Sequence, residues 1–188
     1  YLSLKPRNIL REIYLFFRSF FFIQNISKTG YRVSFSTRLF KRRFLNLKIL
    51  VKKIIIKKCI KFNDQLELEK EKFVIFPLSY TPEGSTFTIS PLFLNEIHCI
   101  ELISKCLPVD YKLVLKEHPV MVGQRSLSFY KKIQKLPNII FLHPFTNYKI
   151  KNLISKSSAV ATISGTAGFE ALMLNKPAIL FARPLCSV

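Results

Sequence analysis

Aspartate is almost missing from this chain: Asp64 and Asp110 are the only two among 188 residues. No Asp-x-Asp clamp for a divalent metal can be built from them. The three histidines, His98, His118 and His143, lack the spacing of a zinc site, so neither a metal nor a cofactor is expected. The four cysteines, Cys59, Cys99, Cys106 and Cys186, form no close pairs. That excludes the dense disulfide framework of a small secreted domain and fits reduced thiols in the cytoplasm. There is no internal repeat or low-complexity tract, and the most apolar run, residues 13–23, is broken by Arg18 and Ser19. It falls short of the roughly 20 apolar residues that a bilayer-crossing helix needs.

Acids are also missing from one end. Residues 1–62 contain 16 Lys and Arg against the single acid Glu12, whereas residues 63–188 contain 14 against 10. Of the net charge of +19, +15 therefore belongs to the first third. The overall composition is that of a globular protein, 49% hydrophobic and 22% charged. The chain opens at Tyr1 without an initiator Met and stops at Val188 directly after an apolar run; it reads as a piece of a longer protein.

The basic first segment, residues 1–62, has a helical pattern over 39–62. Phe40, Phe44, Leu47, Val51, Ile55, Cys59 and Phe62 recur every three or four positions and so share one face. Lys41, Arg42, Lys48, Lys52, Lys53, Lys57 and Lys58 fall mainly off that stripe. A basic amphipathic helix of this kind either lies on an anionic membrane surface, where each Lys or Arg contributes about 1 kcal/mol, or connects to a further domain with its lysines solvated. Nucleic acid is the weakest of the candidate partners, because no recognisable RNA- or DNA-binding motif accompanies the charge.

Residues 63–72 are polar and acidic and read as a linker to a second domain, residues 73–188. Short apolar runs at 73–78, 111–115, 139–142, 159–163 and 178–181 alternate with helical spacing at 95–107, about 124–136, 147–155 and 167–174. The alternation predicts an α/β fold with a parallel sheet and helices on both faces. In such sheets ligands bind beyond the carboxyl ends of the strands. Polar residues gather in those loops: residues 79–86 with Glu83 after the first run, Lys116, Glu117 and His118 after the second, His143 after the third, and Ser164, Gly165 and Thr166 after the fourth.

Residues 159–172 (Ala-Val-Ala-Thr-Ile-Ser-Gly-Thr-Ala-Gly-Phe-Glu-Ala-Leu) are a buried strand, a small-residue turn and a helix start. Two readings fit. In one, unpaired N–H groups at the helix start and the hydroxyls of Ser164 and Thr166 cradle a phosphate, with Glu170 reaching a ribose hydroxyl. In the other, the glycines serve packing and Ser164 only caps the helix.

Several segments then carry a family resemblance: Phe76-Pro77-Leu78-Ser79-Tyr80-Thr81-Pro82-Glu83, Lys116-Glu117-His118-Pro119, Phe129-Tyr130 with Pro137-Asn138, and Ser164-Gly165-Thr166-Ala167-Gly168-Phe169-Glu170-Ala171 with Lys176-Pro177. In that order they resemble the bacterial capsule and surface polysaccharide biosynthesis family over about residues 73 to 182. That family is similar to GT-B glycosyltransferases with two Rossmann-like domains, among them Kdo transferases and bacterial sialyltransferases. The resemblance implies that the second domain is the Rossmann-like, C-terminal half of a GT-B fold and binds a nucleotide sugar, with a CMP-sugar favoured. It also implies a glycan or glycolipid acceptor, a general base in an N-terminal domain outside this stretch, and an inactive isolated fragment. The expected location is the cytoplasm or, held by the basic helix, the inner face of the plasma membrane.

Carried onto the matching residues, it makes His118 and Glu83 catalytic. Lys116, His118, Ser164, Gly165 and Thr166 would hold the nucleotide phosphate, and Glu170 the ribose. The chemistry is coherent, since glycosyl transfer expels a phosphate that an imidazole and oriented N–H and O–H donors can stabilise without a metal. Glu83 also reads as an ordinary turn carboxylate, and His143 departs from the family pattern and reads as loop structure. The alternatives are a nucleotide-sugar epimerase or glycerophosphotransferase on the same sheet, or a non-catalytic component of capsule assembly or export.

Overall fold

The structure, a computed structural model, describes residues 6–26, 33–63, 71–80, 91–93 and 95–182. Glu83, Cys186 and most of the expected linker lie outside the described residues. The chain divides into two compact units, Tyr1–Cys59 and Ile60–Val188.

The described residues of the first unit form α1 (Pro6–Ile26) and α2 (Val33–Cys59). Phe16 of α1 packs against Phe40 and Phe44 of α2, with ring centroids 5.3 and 6.4 Å apart, and Glu12 meets Arg43 at 3.5 Å. Among the described residues no helix is long and apolar enough to cross a membrane.

The stripe that periodicity selects on α2 is not its buried face. Phe44, Val51 and Ile55 are 43%, 49% and 40% exposed, whereas Leu50, Lys53 and Ile56 are buried. The cause is local: residues 49–51 and 54–56 are apolar without interruption, so more than one helix face reads as apolar and spacing cannot choose between them. Lys53, expected among the solvated lysines, is buried, and burial lowers its pKa. The helix also spans Val33–Cys59 in place of the expected 39–62.

In the second unit, β1 (Lys72–Pro77), β2 (Tyr111–Lys116), β3 (Ile139–Leu142), β4 (Ala159–Thr162) and β5 (Ala178–Leu180) form a parallel sheet in the order β3-β2-β1-β4-β5. The α/β class and the parallel sheet are as the sequence indicated, and no strand end departs from its apolar run by more than one residue. Among the described residues, the strands are connected by α3 (Glu96–Cys106), α4 (Leu127–Ile133), α5 (Ile150–Lys156) and α6 (Ala167–Met173). α4 starts later than its pattern suggested because Ser126 caps it, its hydroxyl accepting the Phe129 N–H. α6 stops where Asn175 takes φ 55°, the left-handed turn that commonly closes a helix.

Burial follows the pairing. Phe73, Val74, Ile75 and Phe76 of β1 are buried without alternation, as a parallel strand covered on both faces requires. On one face Phe73, Ile75, Val114, Leu142 and Val160 pack with Leu153 and Ile154 of α5 and Ala167 and Ala171 of α6. On the other, Tyr130 of α4 stacks on Phe141 at 5.7 Å. Each fully buried aliphatic or aromatic side chain contributes about 1.5–3 kcal/mol. From β1 the chain moves outward to β2 and β3 and then returns to the far side of β1 as β4, and this reversal opens a crevice beyond the carboxyl ends of β1 and β4.

The core can be probed through its thiols. Cys99 is fully buried on α3, and burial with the nearby Glu96 charge pushes its thiol up to about 11, whereas Cys59 and Cys106 are exposed. A maleimide at mildly alkaline pH should therefore modify Cys59 and Cys106 in the native protein and Cys99 only after unfolding, because the thiolate is the reactive form. Peptide mass spectrometry reads this directly; native labelling of Cys99 as fast as Cys106 would contradict the packing of α3.

Candidate active site

Beyond β1 and β4 lies a cleft of about 350 Å³. Tyr80 enters it from the β1 exit, Lys116 and His118 from the β2 exit, and Gly165, Thr166 and Glu170 from the β4 turn and α6. Five sequence-predicted site residues thus come together: Lys116, His118, Gly165, Thr166 and Glu170. Ser164 sits half-buried in the same turn but is not among the lining residues. Glu83 lies outside the described residues. His143 lies at the β3 exit, where its Nδ1 accepts the Phe145 N–H at 3.3 Å in a local turn.

The β4 turn is built by packing. Thr162 is buried, and its Oγ1 accepts the Gly165 N–H at 3.2 Å, so that N–H is already engaged within the turn. A Cβ on Gly165 would stand 2.9 Å from Thr162 Oγ1, and one on Gly168 would stand 2.7 Å from Leu180 Cδ2. Thr166, and not Ser164, occupies the N-cap position, and its side chain makes no capping bond. α6 has seven residues, so few peptide dipoles add at its start and any anion there depends on individual donors.

His118 is exposed at the mouth of the cleft, 5.8 Å from the Tyr80 ring and edge-on to it. Its Nδ1 accepts the Val120 N–H at 3.3 Å. The neutral imidazole then carries its proton on Nε2, which is left as a donor. Lys116 is half-buried, its Nζ donates to the Tyr148 carbonyl at 2.6 Å, and burial lowers its pKa. Among the described residues no group of three or more His, Cys, Asp or Glu is placed to hold a metal.

Sequence reasoning missed the buried network at the base of the cleft, of which Ser79 and Glu117 belong to the lining. Arg125 is buried between Glu96 and Glu117, pairing through Nη1 with Glu96 and through Nε with Glu117 Oε2 at 3.0 Å. Its Nη2 donates to the Ser79 carbonyl at 2.6 Å, while the Ser79 N–H donates to Glu96 Oε1 at 2.6 Å. Glu117 is fully buried and accepts the His118 N–H at 2.9 Å and the Tyr130 hydroxyl at 2.9 Å. Burial pushes the Glu117 carboxyl above the usual carboxylate range, against the pull of Arg125 and Tyr130. Burial also opposes the Arg125 charge, but Glu117 and Glu96 outweigh it and raise its pKa. The available signals were slight: an acid at a strand end and an acid opening an apolar helix.

Residues 38–188 match the model of the family "Capsule polysaccharide biosynthesis protein". The chain belongs to the capsule polysaccharide biosynthesis family. Among solved structures it is similar to the Thermosulfurimonas dismutans KpsC β-Kdo 2,7 transferase (18% identity, TM-score 0.49, covering 76% of this chain and 43% of that one). It is also similar to the KpsC β-Kdo 2,4 transferase of the same organism (20%, 0.43, 76% and 46%). A third is S. aureus MnaA in a co-structure with UDP (18%, 0.41, 70% and 34%). The chain spans less than half the length of each of these. No curated protein matches it.

The network makes this capsule-family site testable through stability. Burial and Glu117 raise the Tyr130 phenol pKa, so its hydroxyl remains a donor to Glu117 throughout the neutral range. Tyr130→Phe removes one hydrogen bond to a charged, buried acceptor and should cost about 1.5–3 kcal/mol in urea unfolding. A loss below the error of the measurement would mean that Glu117 is satisfied without it.

Proposed function

We propose that the intact protein is a glycosyltransferase of capsule or surface polysaccharide synthesis, moving a sugar from a nucleotide sugar, CMP-linked in preference, to a growing glycan or glycolipid. The observation that carries this reading is the convergence of His118, Thr166 and Glu170 on one cleft at the strand-order reversal. His118 Nε2–H and the Thr166 hydroxyl serve as donors to the departing phosphate, and the Lys116 ammonium adds positive charge beside them. Glu170 is half-buried on the cleft wall and suits a ribose hydroxyl. Ser164 supports the turn, Glu83 is retained as a catalytic candidate, and the general base belongs to the acceptor domain.

The second partner we propose is an anionic membrane surface at the cytoplasmic face. It is supported by the exposed Phe44, Val51 and Ile55 on α2, with Lys48 and Lys52 beside them, and by the charge of +15 in residues 1–62. Apolar insertion and attraction to headgroups act together in such a helix.

Calorimetric titration of the full-length protein with CMP, UDP and CDP tests the site. CMP should bind tightest, and Thr166→Ala should weaken it by about 1.5–3 kcal/mol, the value of a hydrogen bond to a charged group. His118→Ala should lower kcat by about a hundredfold or more, as loss of one transition-state donor does, with little change in melting temperature because the ring is exposed. Equal, weak binding of all three nucleotides that neither substitution alters would remove the transferase reading. For the membrane, the full-length protein should sediment with vesicles containing anionic lipid and release as salt rises; equal binding to neutral vesicles would leave α2 as a connector.

A further inference from the structure

Nothing in the proposed chemistry requires the buried group of Glu96, Arg125 and Glu117. Replacing such an ion network by well-packed apolar side chains is often neutral or stabilising, so fold stability alone gives a poor account of it. Its connections are specific. The sheet ladder between β1 and β2 ends with the Leu78 N–H donating to the Lys116 carbonyl at 3.0 Å. From the next residue on, side chains replace that ladder. Both backbone polar groups of Ser79 are held, its N–H by Glu96 and its carbonyl by Arg125, and the His118 N–H is held by Glu117. Arg125 joins the two carboxylates, and its guanidinium lies 4.6 Å over the Phe129 ring. The residues so fixed lead directly into Tyr80 and His118, whose rings meet at the cleft.

We propose that Arg125 is a positioning residue which, through Glu96 and Glu117, sets the separation of the β1 and β2 exits and so aligns His118 with the nucleotide phosphate. Arg125 does not line the cleft itself, whereas Ser79 and Glu117, which it holds, do. The guanidinium fork suits this role because it reaches two carboxylates and a carbonyl in one plane, which a lysine ammonium cannot do. The proposal rests on the nucleotide-binding reading of the cleft.

A double-mutant cycle in the full-length protein separates the two. CMP and UDP are titrated calorimetrically into the wild type, Arg125→Lys, His118→Ala and the double variant, with melting temperatures recorded for each. Arg125→Lys should weaken nucleotide binding about tenfold when His118 is present and less than about twofold when His118 is already alanine, the non-additivity of residues in one network. A general loosening of the fold would instead give the same loss in both backgrounds, and that result overturns the positioning role. If Arg125→Lys does not fold, Glu117→Gln carries the same cycle, since its amide oxygen still accepts the His118 N–H while the pairing to Arg125 is weakened. If the wild type binds CMP and UDP equally and weakly and no variant changes that, the nucleotide reading itself fails. If the wild type binds CMP tightly and His118→Ala binds as the wild type does, the nucleotide reading stands and the positioning of His118 on the phosphate falls.

Discussion

All neighbouring strands in the sheet run parallel, and this one constraint determines where the cleft lies. A parallel pair cannot be closed by a tight hairpin, so each strand is followed by a crossover and all strand exits collect on one edge. β1 is buried on both faces and must satisfy its ladder on both sides, with β2 on one and β4 on the other. Because the chain reaches those neighbours in opposite directions, a crevice is left at the exits of β1 and β4, and the cleft lies there. The position of the site is thus a property of the pairing, and the residues at the exits determine only what the cleft can hold.

The end of β2 shows how one short segment serves both core and cleft. Leu115 is buried in the core, Lys116 lines the cleft, Glu117 turns inward and is fully buried, and His118 emerges at the mouth. Side chains alternate across a strand, so Glu117 falls on the opposite side from its neighbours. There it meets Arg125 and Tyr130 behind the sheet edge. Glu117 borders the cleft together with Lys116 and His118, and its bonds to Arg125, Tyr130 and the His118 N–H fasten the backbone that presents them.

This explains what the sequence disclosed and what it hid. The strands were legible because parallel strands are continuous apolar runs, and the cleft residues were legible because a strand exit is defined once the strand is. Arg125 was hidden because its partners Glu96 and Ser79 lie 29 and 46 residues away in sequence, and no local pattern marks a pairing across that distance. The face of α2 was misread for a different reason. Its apolar residues are too many for spacing to discriminate, so that Val51 and Ile55 scored alike with Leu50 and Ile56 although only the last two are buried. Long-range electrostatics and surplus hydrophobicity are thus the two conditions in which this chain's local pattern ceased to specify its structure.

The β4 turn settles how its two sequence readings relate. Gly165 and Gly168 are both crowded: a Cβ at either would come within 3 Å of Thr162 or Leu180, closer than ordinary van der Waals contact allows. The Gly165 N–H, the group an anion cradle would use, is satisfied by Thr162. Gly165 therefore carries little information about a ligand, and at Gly168 the crowding comes from the end of the Leu180 side chain, which is partly exposed and can move. Information about a ligand resides in the positions the packing does not explain. Thr166 takes the N-cap place without using its hydroxyl to cap, and Glu170 stands half-buried on the wall of a cleft. A carboxylate there is costly to desolvate without a donor opposite it. Packing accordingly accounts for the turn at Gly165, while Thr166 and Glu170 are the members of the motif that face the cleft, and only they can distinguish the proposed binding site from a well-made turn.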